Sequence, residues 1–243
     1  MLGCALGLAA CGEGTGSPAP AAELPFPPDA AVNLALEFDG LDDYATMGCA
    51  KFPAAESPLA LSLRFRWDGG SGMQALLVLR KDMESGFRLA VADGVPTASR
   101  VWGGNVLGTA PAVGAGEWHH LAYVSSGGEQ ATHTLYLDGE EVSRTSLEPT
   151  NRTPTSAWLG TLDGKSELFD GALDDVRVWT TARTAEEIAA EAAGDVPDQH
   201  PALSAYWSFD ESSGPRAADR SGYGNHAVLG DGVASYAPTR QPR

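Results

Sequence analysis

Apolar residues recur at every second position in a series of short runs along this chain, the two-residue period of strands with one buried face. The longest run sets Leu59, Leu61, Leu63, Phe65 and Trp67 on one side and Ser62, Arg64 and Arg66 on the other, and Asp68-Gly69-Gly70-Ser71-Gly72 stops it. Leu34, Leu36 and Phe38 alternate with Ala35 and Glu37 as far as the turn dipeptide Asp39-Gly40. Comparable runs cover 75–79, 87–91, 118–124, 135–137 before the hairpin signal Asp138-Gly139, 157–160 and 203–209. Strands this short and evenly spaced, divided by Gly- and Pro-rich turns, predict an all-β chain folded as an antiparallel β-sandwich or jelly roll.

The stretch Phe169-Asp170-Gly171-Ala172-Leu173-Asp174-Asp175-Val176-Arg177-Val178-Trp179 carries the clearest strand. From Asp174 the alternation assigns Asp174, Val176 and Val178 to one face and Asp175, Arg177 and Trp179 to the other. Leu173 is out of phase, which predicts a bend or bulge at that residue. Thr184 with Glu187 three positions on forms a capping box, where hydroxyl and carboxylate reciprocally satisfy free amide donors. With Ile188 and the alanines through Ala193 it predicts one short helix over 184–193.

This strand and helix together resemble the closing strand of the laminin G-like and concanavalin A-like lectin/glucanase superfamily, where a Gly-x-Leu-Asp-Asp-Val-Arg-Val-Trp run precedes a Ser/Thr-x-Glu-Glu-Ile helix. The runs Leu36 to Tyr44, Trp118 to Ala122, Leu135 to Gly139, Trp158 to Gly160 and Tyr206 to Glu211 extend the resemblance over residues 33 to 230. It implies a concanavalin A-like jelly roll and leaves function open, since binding modules, spacers and enzymes share that fold. In tandem relatives a segment like Tyr206 to Asn225 opens a domain, whereas here it closes the chain. It is expected to pair beside the first strand and complete the domain, because an orphan stub would expose Trp207 and Phe209.

Composition adds the ends of the chain. Residues 1–11 read as a processing segment, in which Leu8-Ala9-Ala10-Cys11 resembles the bacterial lipoprotein box. No Lys or Arg precedes the apolar run, so the start codon is expected upstream. Residues 12–31, rich in Gly, Ser, Pro and Ala, are expected to form a flexible tether, 32–237 a single domain and 238–243 a disordered tail. No other apolar run is long enough to span a bilayer. Lipidation of Cys11 and removal of Cys4 would leave Cys49 alone, without an intramolecular disulfide. The expectation is an exported protein, lipid-anchored at Cys11 in a bacterial cell envelope, at the outer membrane or cell surface.

The formal charge of -16, from 32 acidic and 16 basic residues, repels phosphate backbones and excludes nucleic acid as a partner. Enzyme signatures fail in turn. A laminarinase-type hydrolase of this superfamily lines up carboxylates in Glu-x-Asp-x-x-Glu, and the nearest run, Glu37-Phe38-Asp39-Gly40-Leu41-Asp42, lacks the last Glu. Gly160 to Ser166 is one residue short of a phosphate loop, and Gly222 to Ala227 has no strand leading into it, so both read as turns. His119 and His120 are neighbours on a strand, point to opposite faces and cannot chelate one ion. The chain is therefore expected to be no enzyme.

For a metal, the resemblance implies a structural Ca²⁺ held by the first Asp of the Asp-x-Val-Arg-Val-aromatic strand and by groups of the strand beside it. Asp174 stands at the first of these positions and Asp210 is the next candidate; oxygen ligands suit Ca²⁺ rather than zinc. The alternative for Asp174 is a carboxylate that accepts bonds from turn amides. Asp219 and Asn225 are expected to bond their own backbone. For a sugar, Val101-Trp102-Gly103-Gly104-Asn105 offers an aromatic face beside an amide, with Trp102 and Asn105 as ligand residues, set against a Trp102 packed in the core. The expected function is a non-catalytic envelope module that recognises a carbohydrate or a cell-surface protein. The alternatives are a structural spacer or adhesion protein of the envelope without a small ligand and, ranked third, a polysaccharide-acting enzyme.

Overall fold

The computed structural model describes residues 26–48, 52–53, 56–82, 85–101, 105–147, 153–194 and 199–243. Their strands form two antiparallel sheets stacked face to face. The first holds, in order, β10 (Glu140–Leu147), β9 (Ala131–Leu137), β8 (Trp118–Ser125), β3 (Leu59–Trp67), β12 (Asp170–Trp179), β1 (Leu34–Asp39) and β16 (Thr239–Pro242), with β13 (Leu203–Trp207) also on β12. The second runs β14 (Arg216–Ala217), β15 (Ala227–Leu229), β2 (Ala45–Gly48), β11 (Ser156–Leu159), β4 (Met73–Asp82), β5 (Ser85–Ala92), β6 (Val95–Arg100) and β7 (Val106–Thr109). Leu61, Leu63, Phe65, Leu173, Val176, Val178 and Trp207 of the first sheet meet Met47, Leu77, Leu79, Leu89, Ala157 and Leu159 of the second in one buried core.

The irregularity in β12 lies two residues later than the alternation suggests. Asp174 pairs with Arg64 and Arg177 with Ser62, so one extra residue is accommodated between them, and Asp175 takes φ 53° to do it. This bulge restores the phase: Leu173, Val176 and Val178 all enter the core, and Asp174, opposite Arg64, turns outward instead of sharing their face. Close approach also needs Gly171, at φ 145°, where an added Cβ would lie 2.0 Å from the Arg66 carbonyl oxygen.

On the outer side of the first sheet sits α1 (Ala185–Ala192), opened by the Thr184–Glu187 capping box. Ile188 buries against Ala60, Ala122, Val124, Tyr136, Trp179, Leu203 and Tyr206, a second small core worth about 1.5–3 kcal/mol for the isoleucine alone. The helix end is held by charge, since Arg64 donates to the carbonyls of Ala192 at 2.7 Å and Glu191 at 3.3 Å. Glu191 itself is buried, accepts from the Ser62 hydroxyl and lies 3.6 Å from Arg177. Among the described residues no helix is long and apolar enough to cross a membrane.

Two described segments, 26–31 and 238–243, are more ordered than composition suggests. The tail that reads as disordered contains β16, paired with β1 from Leu34 opposite Pro242 to Glu37 opposite Thr239. Pro-Thr-Arg-Gln-Pro-Arg has no apolar pattern, and its order comes from the backbone ladder and from Arg240. That guanidinium meets the Glu211 carboxylate at 3.0 Å and the carbonyls of Phe209, Gly214 and Arg216 at 3.2, 2.8 and 2.7 Å. At the other end, the last part of the expected tether is pinned: Asp29 bridges to Glu211, the Ala30 amide donates to the Asp210 carbonyl at 2.6 Å, and Phe26 packs on His226. Residues 29–30 and 239–242, outside the expected bounds of 32 and 237, thus pair with the sandwich. The closing segment joins both sheets, β13 beside β12 rather than beside the first strand, and β15 beside β2.

Candidate functional site

The bulge in β12 is also where that strand changes neighbours. Along one edge, β1 pairs with Asp170 to Leu173, and β13 pairs with Val176 to Trp179, so Asp174 and Asp175 lie at a fork between two strand ends. Ladder bonding lapses there, and side chains fill the gap. Asp174 Oδ1 accepts from the Asp175 amide at 2.7 Å, and its Oδ2 accepts from Arg243 Nη1. Asp175 accepts from the Tyr206 hydroxyl at 2.8 Å and Arg177 at 3.1 Å, with Arg243 at 3.3 Å and Arg64 at 3.4 Å. Asp210 Oδ1 accepts from the Leu34 amide at 3.0 Å and so fixes the start of β1.

The two adjacent carboxyls are driven apart. Burial pushes Asp174, only 1% exposed, up to about 7; the charges of Asp175 and Asp210 add to this, while Arg243 opposes it. Burial acts on Asp175 in the same sense, but Arg177, the Tyr206 hydroxyl, Arg243 and Arg64 hold it below the usual carboxylate range. Of the two carboxylates expected to hold calcium, the fork holds Asp174, and Asp210 lies close enough for its charge to act on it while its own Oδ1 is committed to the Leu34 amide. The fork also places a guanidinium on one oxygen of Asp174 and a turn amide on the other. The donor set is hard oxygen, as Ca²⁺ requires, and Arg243 is the cation an ion would have to displace.

Elsewhere the sequence candidates fare differently. Trp102 lies outside the described residues, as do Cys4, Cys11 and Cys49. Asn105 is exposed just before β7, and its carbonyl accepts from the Arg100 amide at 3.0 Å. Glu37 is ion-paired with Arg66 at 2.9 Å. Asp39 accepts from the Leu41 and Asp42 amides, and its oxygen lies within 4.8 Å of those of Asp42 and Asp43. Burial, then Asp39, raises Asp43 to about 6, and these bonds make the cluster a self-satisfied turn. Asp219 likewise accepts from the Tyr206, Ser221 and Asn225 amides. His119 bonds Asp138 at 2.8 Å, and burial lowers His120 to about 4. Arg64, Arg177 and Tyr206 were missed as parts of the fork, although the alternation put both arginines outward. Nothing in the sequence signals Arg243.

A jelly-roll sandwich with a capping helix and this closing strand defines a lectin-like class of domain. The chain belongs to the concanavalin A-like lectin/glucanases superfamily, whose laminin G-type family model matches residues 38–189, more than half of it. No curated protein sequence matches the chain. Among solved structures it is similar to a Bacteroides ovatus protein assigned as carbohydrate-binding, at TM-score 0.63 and 14% identity over 87% of this chain and 60% of that one. It thus spans less than two thirds of that protein. A heptameric SAP-like pentraxin from Limulus polyphemus gives TM-score 0.59 and 14% identity, covering 84% of this chain and 97% of that one. Domain 4 of AbnA, a GH43 extracellular arabinanase of Geobacillus stearothermophilus in complex with arabinotriose, gives 0.53 and 16%, covering 68% and 79%. These likenesses establish the fold.

The Asp174 shift has a sign that can be measured. Its folded value of about 7 lies above the ordinary 3.8, so the folded state binds the extra proton between those values. The stability this contributes is complete below 3.8 and is lost as pH rises through about 7. Melting temperatures recorded from pH 4 to 8 should fall less steeply for Asp174→Asn than for wild type. Parallel profiles for the two proteins would contradict the assignment.

Proposed function

We propose that the protein is a non-catalytic carbohydrate-binding module carried on a bacterial cell envelope. The observation that carries this reading is the fate of the acidic run at the start of the sandwich. The carboxylates that a glucanase of this superfamily would aim into a cleft are committed elsewhere, Glu37 to Arg66 and Asp39 to its own turn. A retaining glycosidase needs two free carboxyl groups about 5 Å apart across the scissile bond, and neither Glu37 nor Asp39 is free to serve as one. The likeness to the Bacteroides ovatus protein and to the arabinotriose-bound domain supports sugar as the ligand class.

Two further elements belong to this reading. A structural Ca²⁺ at Asp174 and Asp210 would join β12 to the closing segment, taking over from Arg243 the task of neutralising the fork. Lipidation at Cys11 would hold the domain at the envelope through the residues that precede Phe26.

Three measurements address these elements. The full chain should be retained on immobilised polysaccharide while releasing no new reducing ends, and sustained product release would overturn the non-catalytic assignment. Calcium at a hundredfold excess over its Kd would add about 2.7 kcal/mol by mass action. It should therefore raise the melting temperature relative to chelator, and raise it further in Arg243→Ala; equal melting in both buffers for both proteins removes the ion. A palmitate analogue should label the chain expressed with its native leader and not its Cys11→Ser variant, and unlabelled wild type would dispose of the anchor.

A further inference from the structure

The outer face of the second sheet carries a set of side chains that neither the core nor the fork uses. Pairing places Thr46 of β2 and Val78 of β4 on either side of Trp158 in β11, while Ala45, Met47, Ala157 and Leu159 point the other way into the core. Tyr44, just before β2, sets its ring 5.7 Å from that of Trp158 and stacks at 6.2 Å on that of Tyr236. The three rings form a row. Trp158 and Tyr44 are half-buried, and Tyr236 is 40% exposed, so the row opens to solvent at one end.

The row is held in place by main-chain bonds that a merely greasy patch would not need. The Tyr44 amide donates to the Tyr236 carbonyl at 3.1 Å, and the Tyr44 carbonyl accepts from the Gly230 amide at 2.8 Å. Gly230 sits at φ 56°, with an added Cβ 2.5 Å from the Tyr236 carbonyl carbon, so the loop that presents Tyr236 closes only around glycine. Asp231, on the same loop, accepts from the Tyr44 hydroxyl at 3.2 Å and the Thr46 hydroxyl at 2.6 Å. Burial, followed by the Asp231 charge, pushes the Tyr44 hydroxyl up to about 12, so it remains a donor. Rigid rings presented at low entropic cost are what a binding surface requires.

The chemistry around the rings selects the ligand. An aromatic face is negative and attracts the polarised C–H groups on one side of a pyranose or furanose ring, while the hydroxyls at the sugar's edge need donors and acceptors beside it. Asp231 and Thr46 supply those at one end. The Arg80 guanidinium covers one face of Trp158, 4.6 Å over the ring, and its charge is met by Asp163. Asp231 and Asp163 outnumber Arg80 around the rings, and on a chain of formal charge -16 carboxylated or sulfated sugars are repelled. We propose that Tyr44, Trp158 and Tyr236 form a glycan-binding surface that takes an uncharged polysaccharide chain. This rests on the carbohydrate-binding reading above and adds its location and the charge class of its ligand.

The test is affinity electrophoresis of the full chain in gels containing uncharged polysaccharides (β-glucan, xylan, mannan, arabinan) or acidic ones (pectate, alginate). Wild type should be retarded by at least one uncharged polymer and by neither acidic one. Trp158→Ala should weaken that retardation by about tenfold, the loss of one well-made contact, and so should Tyr236→Ala, whose exposed position leaves folding intact even if the tryptophan variant misfolds. Tyr236→Phe, which keeps the ring, should bind as wild type does. Undiminished retardation of Tyr236→Ala and a folded Trp158→Ala would place the sugar elsewhere, overturning the surface while sparing the carbohydrate reading. Retardation by the acidic gels alone would overturn the charge class. Wild type that is retarded by no polymer would overturn the carbohydrate reading itself, and this surface with it.

Discussion

The structure depends on a single extra residue in β12. Asp175 sits at φ 53°, a conformation costly for a side chain other than glycine, and the surrounding charge network holds it there. Because the strand gains a residue at that point, its first half and its second half present different backbone registers to whatever lies alongside. One neighbour could not follow both, and two strand ends, β1 and β13, divide the edge between them. The gap this leaves is polar, and Asp174, Asp175, Asp210, Arg64, Arg177 and Arg243 close it.

From that fork the chain reaches the opposite sheet. β13 leaves β12, and the segment after it crosses to β14 and β15 in the second sheet, passes through the short turns at Gly230–Gly232 and Ala234–Tyr236, and returns as β16 beside β1. Arg240 fastens this return: it and Glu211 form a buried pair at 3.0 Å, and removing one partner of such a pair costs about 3–5 kcal/mol. The loop carrying Asp231 and Tyr236 is thus suspended between two anchored strands. An aromatic surface on one sheet is positioned by an irregularity in the other.

Much of this was legible in the chain. Alternation in Leu59 to Trp67 marked β3 and its inward face, Thr184 and Glu187 marked the helix start, and Gly171 to Trp179 carried the family. What was not legible has physical causes. A two-residue period cannot say on which side of an insertion the phase is regained, and so Asp174 was assigned to the face of Val176. Hydropathy is blind to strands held by arginine and by ladder bonds, which hid β16 and the ordered stretch from Phe26 onward. The row of Tyr44, Trp158 and Tyr236 assembles from positions far apart in sequence, and only strand pairing and the turn at Gly230 bring the rings together. Proximity in sequence favours Trp102 instead, where an aromatic and an amide stand close in the chain.

The proposed glycan surface occupies the outer face of the second sheet. Its most direct test is an amide and indole NMR spectrum of the full chain, titrated with a neutral oligosaccharide taken from a polymer it binds. Shifts concentrated at Tyr44, Thr46, the Trp158 indole, Asp231 and Tyr236, with Asp174 and Asn105 undisturbed, are the predicted result. Shifts gathered at the fork, around Asn105 or along Glu37 to Asp43 would contradict it.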